Sequence, residues 1–349
     1  MPALRQKLSQ IDDYPAFLNA CWQEHLAPRA ANAPTVISTF AGAGGSSLGY
    51  SMAGFRELLA VEWDDNAVAT FKLNFPDVPV YHGDIAKLSV EDVLQRTGLQ
   101  PGQLDVFDGS PPCQGFSTAG KRDFYDDRNQ LFREYVRLLR GLQPKVFVME
   151  NVSGMVKGKM KLVFAEILRE LKASGYRVSA RLLNAMYFSV PQSRERMIFV
   201  GVRDDLGIEP SHPQAQSVPV TVSAAVGNCP VSSSRQMSSR AGAIWSKIPI
   251  GENGTTVSGP NKDFSLRKVA PGLPCPTIRK GQTAGNGLMH WTEQRYLSDA
   301  EQARVGSFPD VFKWAGDSTA ITARIGNSVP PLFMRSIALH VRHEILARV

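Results

Sequence analysis

The four cysteines of this 349-residue chain, at 21, 113, 229 and 275, lie far apart, and no CxxC pair occurs. That spacing argues against a zinc site or a disulfide framework and for a reducing, cytoplasmic setting. No metal is expected. Long apolar runs are missing as well: none approaches the roughly eighteen residues of a membrane span. The opening Met1-Pro2-Ala3-Leu4-Arg5-Gln6-Lys7 has no apolar core, which argues against a secretory signal. There is no internal repeat and no low-complexity tail. With 43% hydrophobic and 20% charged residues, the chain has an ordinary globular composition. Its length allows one large domain or two of usual size.

The formal net charge is +7, and the excess is unevenly placed. Segment 206–291 holds eight basic residues (Arg235, Arg240, Lys247, Lys262, Arg267, Lys268, Arg279, Lys280) against three acidic ones (Glu209, Glu252, Asp263). A basic segment suits a phosphate backbone, where each neutralised phosphate releases counterions. A merely solvated basic face would read the same way.

Strands are expected over 35–40, 58–62, 105–108, 146–150, 178–183 and 197–202, with helices over 64–73, 129–142 and 161–173. Near-continuous apolar strands separated by helices predict an α/β fold with a doubly wound, mostly parallel sheet. Ligands of such sheets bind beyond the carboxyl ends of the strands. Glu62, Asp108 and Glu150 fall at those ends, and Phe40 opens onto a glycine loop there. Segment 206–291 is rich in Ser, Gly and Pro and reads as a smaller, irregular or β-rich lobe. A helix is expected over 298–305, capped by Ser298 with Glu301 three residues on. Another closes the chain over 330–347, its prolines tolerated in the first turn.

Four stretches carry chemistry. Ser110-Pro111-Pro112-Cys113-Gln114-Gly115-Phe116-Ser117 presents a thiol from a stiff, proline-fixed loop. A thiolate is a strong nucleophile, although most free cysteines are small buried hydrophobes. Phe40-Ala41-Gly42-Ala43-Gly44-Gly45 leads from the first strand into a helix, so backbone and helix N-terminus can approach a ligand. Glu62, about twenty residues on, would hold ribose hydroxyls, and Trp63 and Gly83-Asp84-Ile85 would suit an adenine. These residues fit a nicotinamide or flavin cofactor as well as S-adenosylmethionine. Glu150, before Asn151 and Val152, could share a proton with a ring nitrogen. In Gln192-Ser193-Arg194-Glu195-Arg196, two arginines at i and i+2 would project from one side of an extended chain.

Together these motifs resemble the DNA (cytosine-5) methyltransferase family, in the family's own order. FAGAGG (40–45), SPPCQGFS (110–117), ENV (150–152) and QSRER (192–196) are followed by Arg295–Glu301 with Phe308-Pro309-Asp310 and by Arg324–Pro330. The resemblance spans about 35–345 and leaves most of 206–291 uncovered. It implies the S-adenosylmethionine-dependent methyltransferase fold with a smaller target-recognition domain. The layout is then a helical extension over 1–33, a catalytic and cofactor domain over 34–205 plus 322–349, and a recognition domain over 206–321. It implies Cys113, Glu150, Arg194 and Arg196 as catalytic residues. Phe40, Gly42, Gly44, Gly45, Glu62, Trp63, Asp84, Ile85 and Asn327 would bind S-adenosylmethionine, which requires the C-terminal helix to pack back on the first domain. Gln114, Ser117, Thr277 and Arg279 would contact DNA.

The implied reaction is methyl transfer to carbon 5 of a flipped-out cytosine in a specific duplex sequence, through a covalent cysteine adduct. The implied setting is a monomer in the cytoplasm, nucleoid-associated, in a restriction-modification or solitary role, with a possible cognate restriction endonuclease. An RNA (tRNA) cytosine-5 methyltransferase is the nearest alternative, although the Cys-Phe-Thr tripeptide usual in that branch is missing. A noncatalytic DNA-binding relative and a nicotinamide-dependent oxidoreductase leave the filled catalytic positions unexplained.

Overall fold

A computed structural model describes residues 10–112, 130–156, 160–230 and 232–349. Cys113, Gln114 and Ser117 lie outside the described residues. The first half of the chain runs α1 (Tyr14–Leu26), β1 (Thr35–Thr39), α2 (Gly45–Met52), β2 (Arg56–Glu62), α3 (Asp65–Asn74) and β3 (Val80–His82). Then come α4 (Val90–Thr97), β4 (Val106–Gly109), α5 (Gln130–Leu142), β5 (Val146–Val152), α6 (Met160–Lys172) and β6 (Tyr176–Asn184). The second half runs β7 (Gln192–Ser193), β8 (Glu195–Arg203), α7 (Val222–Val226), α8 (Ser239–Trp245), α9 (Thr255–Ser258) and β9 (Leu266–Lys268). It ends with β10 (Cys275–Pro276), β11 (Gly287–Met289), α10 (Asp299–Val305), α11 (Ser318–Asn327) and α12 (Pro331–His340).

The chain divides into two units. A sheet unit comprises Glu24–Leu183, Glu195–Gln214 and Met334–Val349. A lobe comprises Met1–Gln23, Asn184–Arg194 and Ala215–Phe333. Relative to the expected layout, 24–33 and 206–214 join the sheet unit, whereas 10–23, 184–194 and 322–333 join the lobe. The cause for 184–194 is local: β7 pairs in parallel with β10, Gln192 opposite Cys275 and Ser193 opposite Pro276.

In the sheet unit seven strands lie in the order β3-β2-β1-β4-β5-β8-β6. The pairs from β3 to β5 are parallel, and β8 runs antiparallel to β5. This is the doubly wound, mostly parallel sheet expected. β1 and β4 are buried at every position, as strands covered on both faces must be. One cover is α5, whose Phe132, Tyr135, Val136, Leu139 and Leu142 fall on one helical face. Tyr135 stacks on Phe107 of β4 with centroids 4.9 Å apart, within a core that includes Phe147, Met149, Ile167 and Phe199.

Strand order reverses between β1 and β4, which opens a crevice at their carboxyl ends. Register fixes what borders it: Thr39 lies opposite Val61 and Gly109, and Gly109 opposite Met149. The next residues, Phe40, Glu62, Ser110 and Glu150, therefore line up along one edge of the sheet. The C-terminal segment from Met334 belongs to this unit, with Ile337, Ala338 and Val341 buried. There Arg342 Nη1 donates to the Ala53 carbonyl at 2.8 Å. The helix expected over 330–347 stops at His340 and passes into a wider π-type turn over Val341–Ile345.

The lobe is built from short pieces. β9 and β11 pair in parallel, and Ala241, Ile248, Leu266, Met289 and Tyr296 form a small core. Ser298 and Glu301 cap α10 reciprocally, as their spacing predicted. Among the described residues, no helix is long and apolar enough to cross a membrane, and no cluster of His, Cys, Asp or Glu could hold a metal ion.

Candidate functional site

In the sheet unit the glycine loop departs from β1 through left-handed backbone at Phe40, Gly42 and Gly44, with φ of 56°, 57° and 92°. Gly44 is required twice over, since a Cβ there would also lie 2.4 Å from the Phe75 ring. At Gly42 a Cβ would meet nothing within 4 Å, so the loop leaves open space in front of its backbone. Gly45 begins α2 and is buried.

Glu62 closes the loop onto the end of β2. Its carboxylate accepts from the backbone N–H of Gly42 (2.7 Å), Trp63 (2.8 Å) and Asp64 (2.9 Å). A carboxylate has about four acceptor positions, so one remains for a ligand hydroxyl. Trp63 is 76% exposed, an indole left uncovered at the same strand end. Beyond β3, the Asp84 side chain accepts from the Ala86 N–H at 3.0 Å, and Ile85 is buried. A fixed carboxylate, an open glycine cradle and a bare indole suit a ligand with sugar hydroxyls and a flat base.

On β5, across the crevice side of the sheet, Glu150 Oε1 lies 2.5 Å from Arg196 Nε, both side chains largely enclosed. The antiparallel register produces this pair: Glu150 faces Ile198, and Arg196 faces Val152 two places on. Asn151 Nδ2 donates to the Pro111 carbonyl at 3.0 Å and so ties β5 to the proline pair. Below these groups lies a cluster of which the sequence pointed only to Asp108, as a strand-end carboxyl. Asp108 of β4 is buried and accepts from Tyr50 Oη at 3.2 Å. Glu57 of β2 accepts from Ser47 Oγ at 2.8 Å. Burial pushes Asp108 up to about 8, against the Tyr50 hydrogen bond and aided by the Glu57 charge. Burial likewise pushes Glu57 up to about 7, opposed by hydrogen bonds from Ser38 and Ser47. The only sequence signal was a carboxyl inside an apolar strand.

Arg194 corrects an expectation. It stands between the end of β7 and the start of β8, so the same-side rule for residues two apart, valid along one continuous strand, does not apply. Its guanidinium is buried in the lobe and donates to the carbonyls of Ile278 (3.2 Å), Gly326 (3.0 Å) and Ser328 (2.9 Å). It holds backbone rather than a substrate carbonyl.

Asn327, also in the lobe, is the exposed last residue of α11. Thr277 Oγ1 donates to the Ser193 carbonyl at 2.7 Å. Arg279 borders a cleft of about 510 Å³ with Arg267, Phe264, Asn253, Gln282 and Asn286, and no acidic side chain lines it. Its guanidinium lies 5.6 Å from the centre of the exposed Phe264 ring. Phe264 was not singled out from the sequence, because it lies in irregular chain just before the three-residue β9, where no readable period exists.

The C-5 cytosine-specific DNA methylase family model matches residues 34–343. The Type II methyltransferase M1.HphI of Haemophilus parahaemolyticus is 38% identical over 328 residues, covering 87% of this chain and 85% of that protein. M.NgoPII of Neisseria gonorrhoeae, also a Type II methyltransferase, is 31% identical over 92% of this chain and 99% of its own length. Among solved structures, a putative DNA modification methyltransferase encoded within an E. coli prophage superposes with a TM-score of 0.75 at 24% identity, covering 90% of this chain and all of that one. Spodoptera frugiperda DNMT2 superposes with a TM-score of 0.65 at 18% identity over 90% of this chain and 99% of its own, which is likeness of fold. The chain belongs to the C-5 cytosine-specific DNA methylase family.

Proposed function

We propose that the protein methylates carbon 5 of cytosine within a specific duplex DNA word, using S-adenosylmethionine and a covalent adduct through Cys113. The observation that carries this is the Glu150–Arg196 pair at the strand end beside the Pro111-Pro112 lead into the cysteine. An RNA substrate is not favoured, because the matching family model is that of a DNA methylase by name, and the relatives are Type II methyltransferases.

S-adenosylmethionine fits the glycine crevice: Glu62 keeps one acceptor position for a ribose hydroxyl, and the exposed Trp63 offers a face for adenine. When bound, it supplies a methyl group activated on a positively charged sulfur. The residues of the chain do the rest. Carbon 5 of cytosine is a weak nucleophile inside an aromatic ring. Addition of the Cys113 thiolate at carbon 6 breaks that aromaticity and places an electron pair at carbon 5. Glu150 holds a proton at ring nitrogen 3 as charge develops, and Arg196 fixes the Glu150 carboxyl group and faces the ring carbonyl. After carbon 5 accepts the methyl group, loss of its proton returns an electron pair that expels the thiolate and restores the ring. None of these atoms is reachable inside a stacked duplex, so the base must leave the helix at a cost of roughly a few kcal/mol. The basic cleft with Arg279 is the surface that holds and reads the DNA. The setting is restriction-modification or a solitary modification role.

The test uses tritiated S-adenosylmethionine with plasmid DNA, followed by deamination sequencing to map the modified cytosines. A duplex carrying 5-fluorocytosine at the mapped position should then trap the enzyme covalently, because fluorine cannot leave as the proton does. Cys113→Ala should abolish both turnover and trapping while DNA still binds. Turnover by that variant would overturn the mechanism.

A further inference from the structure

Segment 275–280 is held by residues of β7, by Arg194 and by the end of α11. Cys275 and Pro276 pair with Gln192 and Ser193. Thr277 Oγ1 donates to the Ser193 carbonyl, and the Ile278 N–H donates to Gln192 Oε1 at 3.3 Å. The Ile278 carbonyl accepts from Arg194, whose other amino group grips the carbonyls of Gly326 and Ser328 at the end of α11. The last carbonyls of a helix have no partner within it, and a guanidinium satisfies them while matching the negative end of the helix dipole. The end of α11 is also pressed against the segment. A Cβ on Gly326 would come within 2.5 Å of the Arg279 carbonyl carbon and 2.6 Å of the Lys280 nitrogen. Only a glycine permits that approach.

At the free end of this mount stands the exposed Arg279, its guanidinium over Phe264 and, among the described residues, without a hydrogen bond. Discrimination between bases by an arginine depends on a bidentate fit to one base edge. Hydrogen bonds weaken steeply once distance and angle leave their narrow range.

We propose that Arg194 and Gly326 are positioning residues for target recognition: they set the placement of the 277–280 backbone and hence of Arg279 on the DNA. This rests on the reading that the cleft around Arg279 meets the DNA. A lysine cannot replace Arg194, because one ammonium group lacks the planar fork that reaches three carbonyls from one side chain.

The experiment compares the full-length wild type with Arg194→Lys, Gly326→Ala and Arg279→Ala. Initial rates are measured on duplexes carrying the mapped word and on duplexes with one base pair of it changed. Arg279→Ala should raise the KM for DNA and lower discrimination against at least one single-base change, each by about tenfold, the usual scale of one lost base contact. Arg194→Lys and Gly326→Ala should show the same pattern at the same base pair, with kcat at saturating DNA within about twofold of wild type. If Arg279→Ala loses discrimination and both positioning variants keep it, the proposal is overturned. If Arg279→Ala keeps it, the reading of the cleft fails and the proposal falls with it. Should Arg194→Lys not fold, Gly326→Ala carries the comparison. A fall in kcat with discrimination intact would mark general structural damage and count against the proposal.

Discussion

Two carboxylates on the same edge of the sheet, on β2 and β5, are held in opposite ways. Glu62 is fixed by three backbone N–H groups, which suits a group that only binds. Glu150 is fixed by one arginine side chain, which suits a group that must exchange a proton next to a developing charge. Glu150→Gln keeps the shape and loses the exchangeable proton. It should lower single-turnover methylation by about a hundredfold or more, the usual scale of general acid–base assistance, with the melting temperature nearly unchanged. A rate within threefold of wild type would remove Glu150 from the chemistry. Glu62 and Glu150 were singled out from the sequence by the motifs they sit in, since a strand-end Glu taken alone is more often a surface residue or a cap. Arg194 was misread for a physical reason. Its side-chain direction depends on a strand break that no pattern of residue types announces.

Helix α2 and the strands beneath it form a polar layer inside the sheet unit. Ser47 and Tyr50 of α2 donate to Glu57 of β2 and Asp108 of β4, two carboxyls taken out of water and near each other. Both prefer the protonated form when folded, with values raised to about 7 and about 8, whereas in an unfolded chain they titrate near 4. The folded protein therefore binds more protons than the unfolded chain between about pH 4 and 8. The stability these groups contribute is full below pH 4 and is lost as pH rises through 7 to 8. Each contributes a slope of about −1.4 kcal/mol per pH unit inside its window, an order-of-magnitude figure. Melting temperature from pH 5 to pH 8 should accordingly fall more for the wild type than for the double variant Glu57→Gln, Asp108→Asn. Parallel curves would show that the two carboxyls are not held neutral. At this scale the long elements were readable, since β5 and β8 carry unbroken buried runs at Val146–Met149 and Met197–Val202 and α5 shows a clean helical face. The lobe was readable only by composition, because strands of two or three residues have no period and are made by their partners.

Charge belongs to the whole molecule, and its distribution differs between the two units. The net +7 is concentrated in the lobe segment, where Arg267 and Arg279 border a cleft without acidic side chains. Arg177 of the sheet unit, by contrast, is already paired with Glu209 at 2.6 Å, and Arg140 with Glu170 at 2.6 Å. A paired arginine releases few counterions on meeting a phosphate, because its charge is already matched. An unpaired one in an acid-free cleft contributes fully. The logarithm of DNA affinity should fall linearly with the logarithm of salt concentration, and each lobe cation in phosphate contact adds about 0.9 to the slope. Arg267→Ala and Lys280→Ala should each reduce the slope by about one, whereas Arg177→Ala should leave it unchanged. Fluorescence anisotropy with a labelled duplex from 50 to 300 mM salt, roughly the range over which such binding collapses, measures this directly. Equal slopes for lobe and sheet-unit variants would mean that the basic excess is only a solvated face, and the cleft would lose its claim to the DNA.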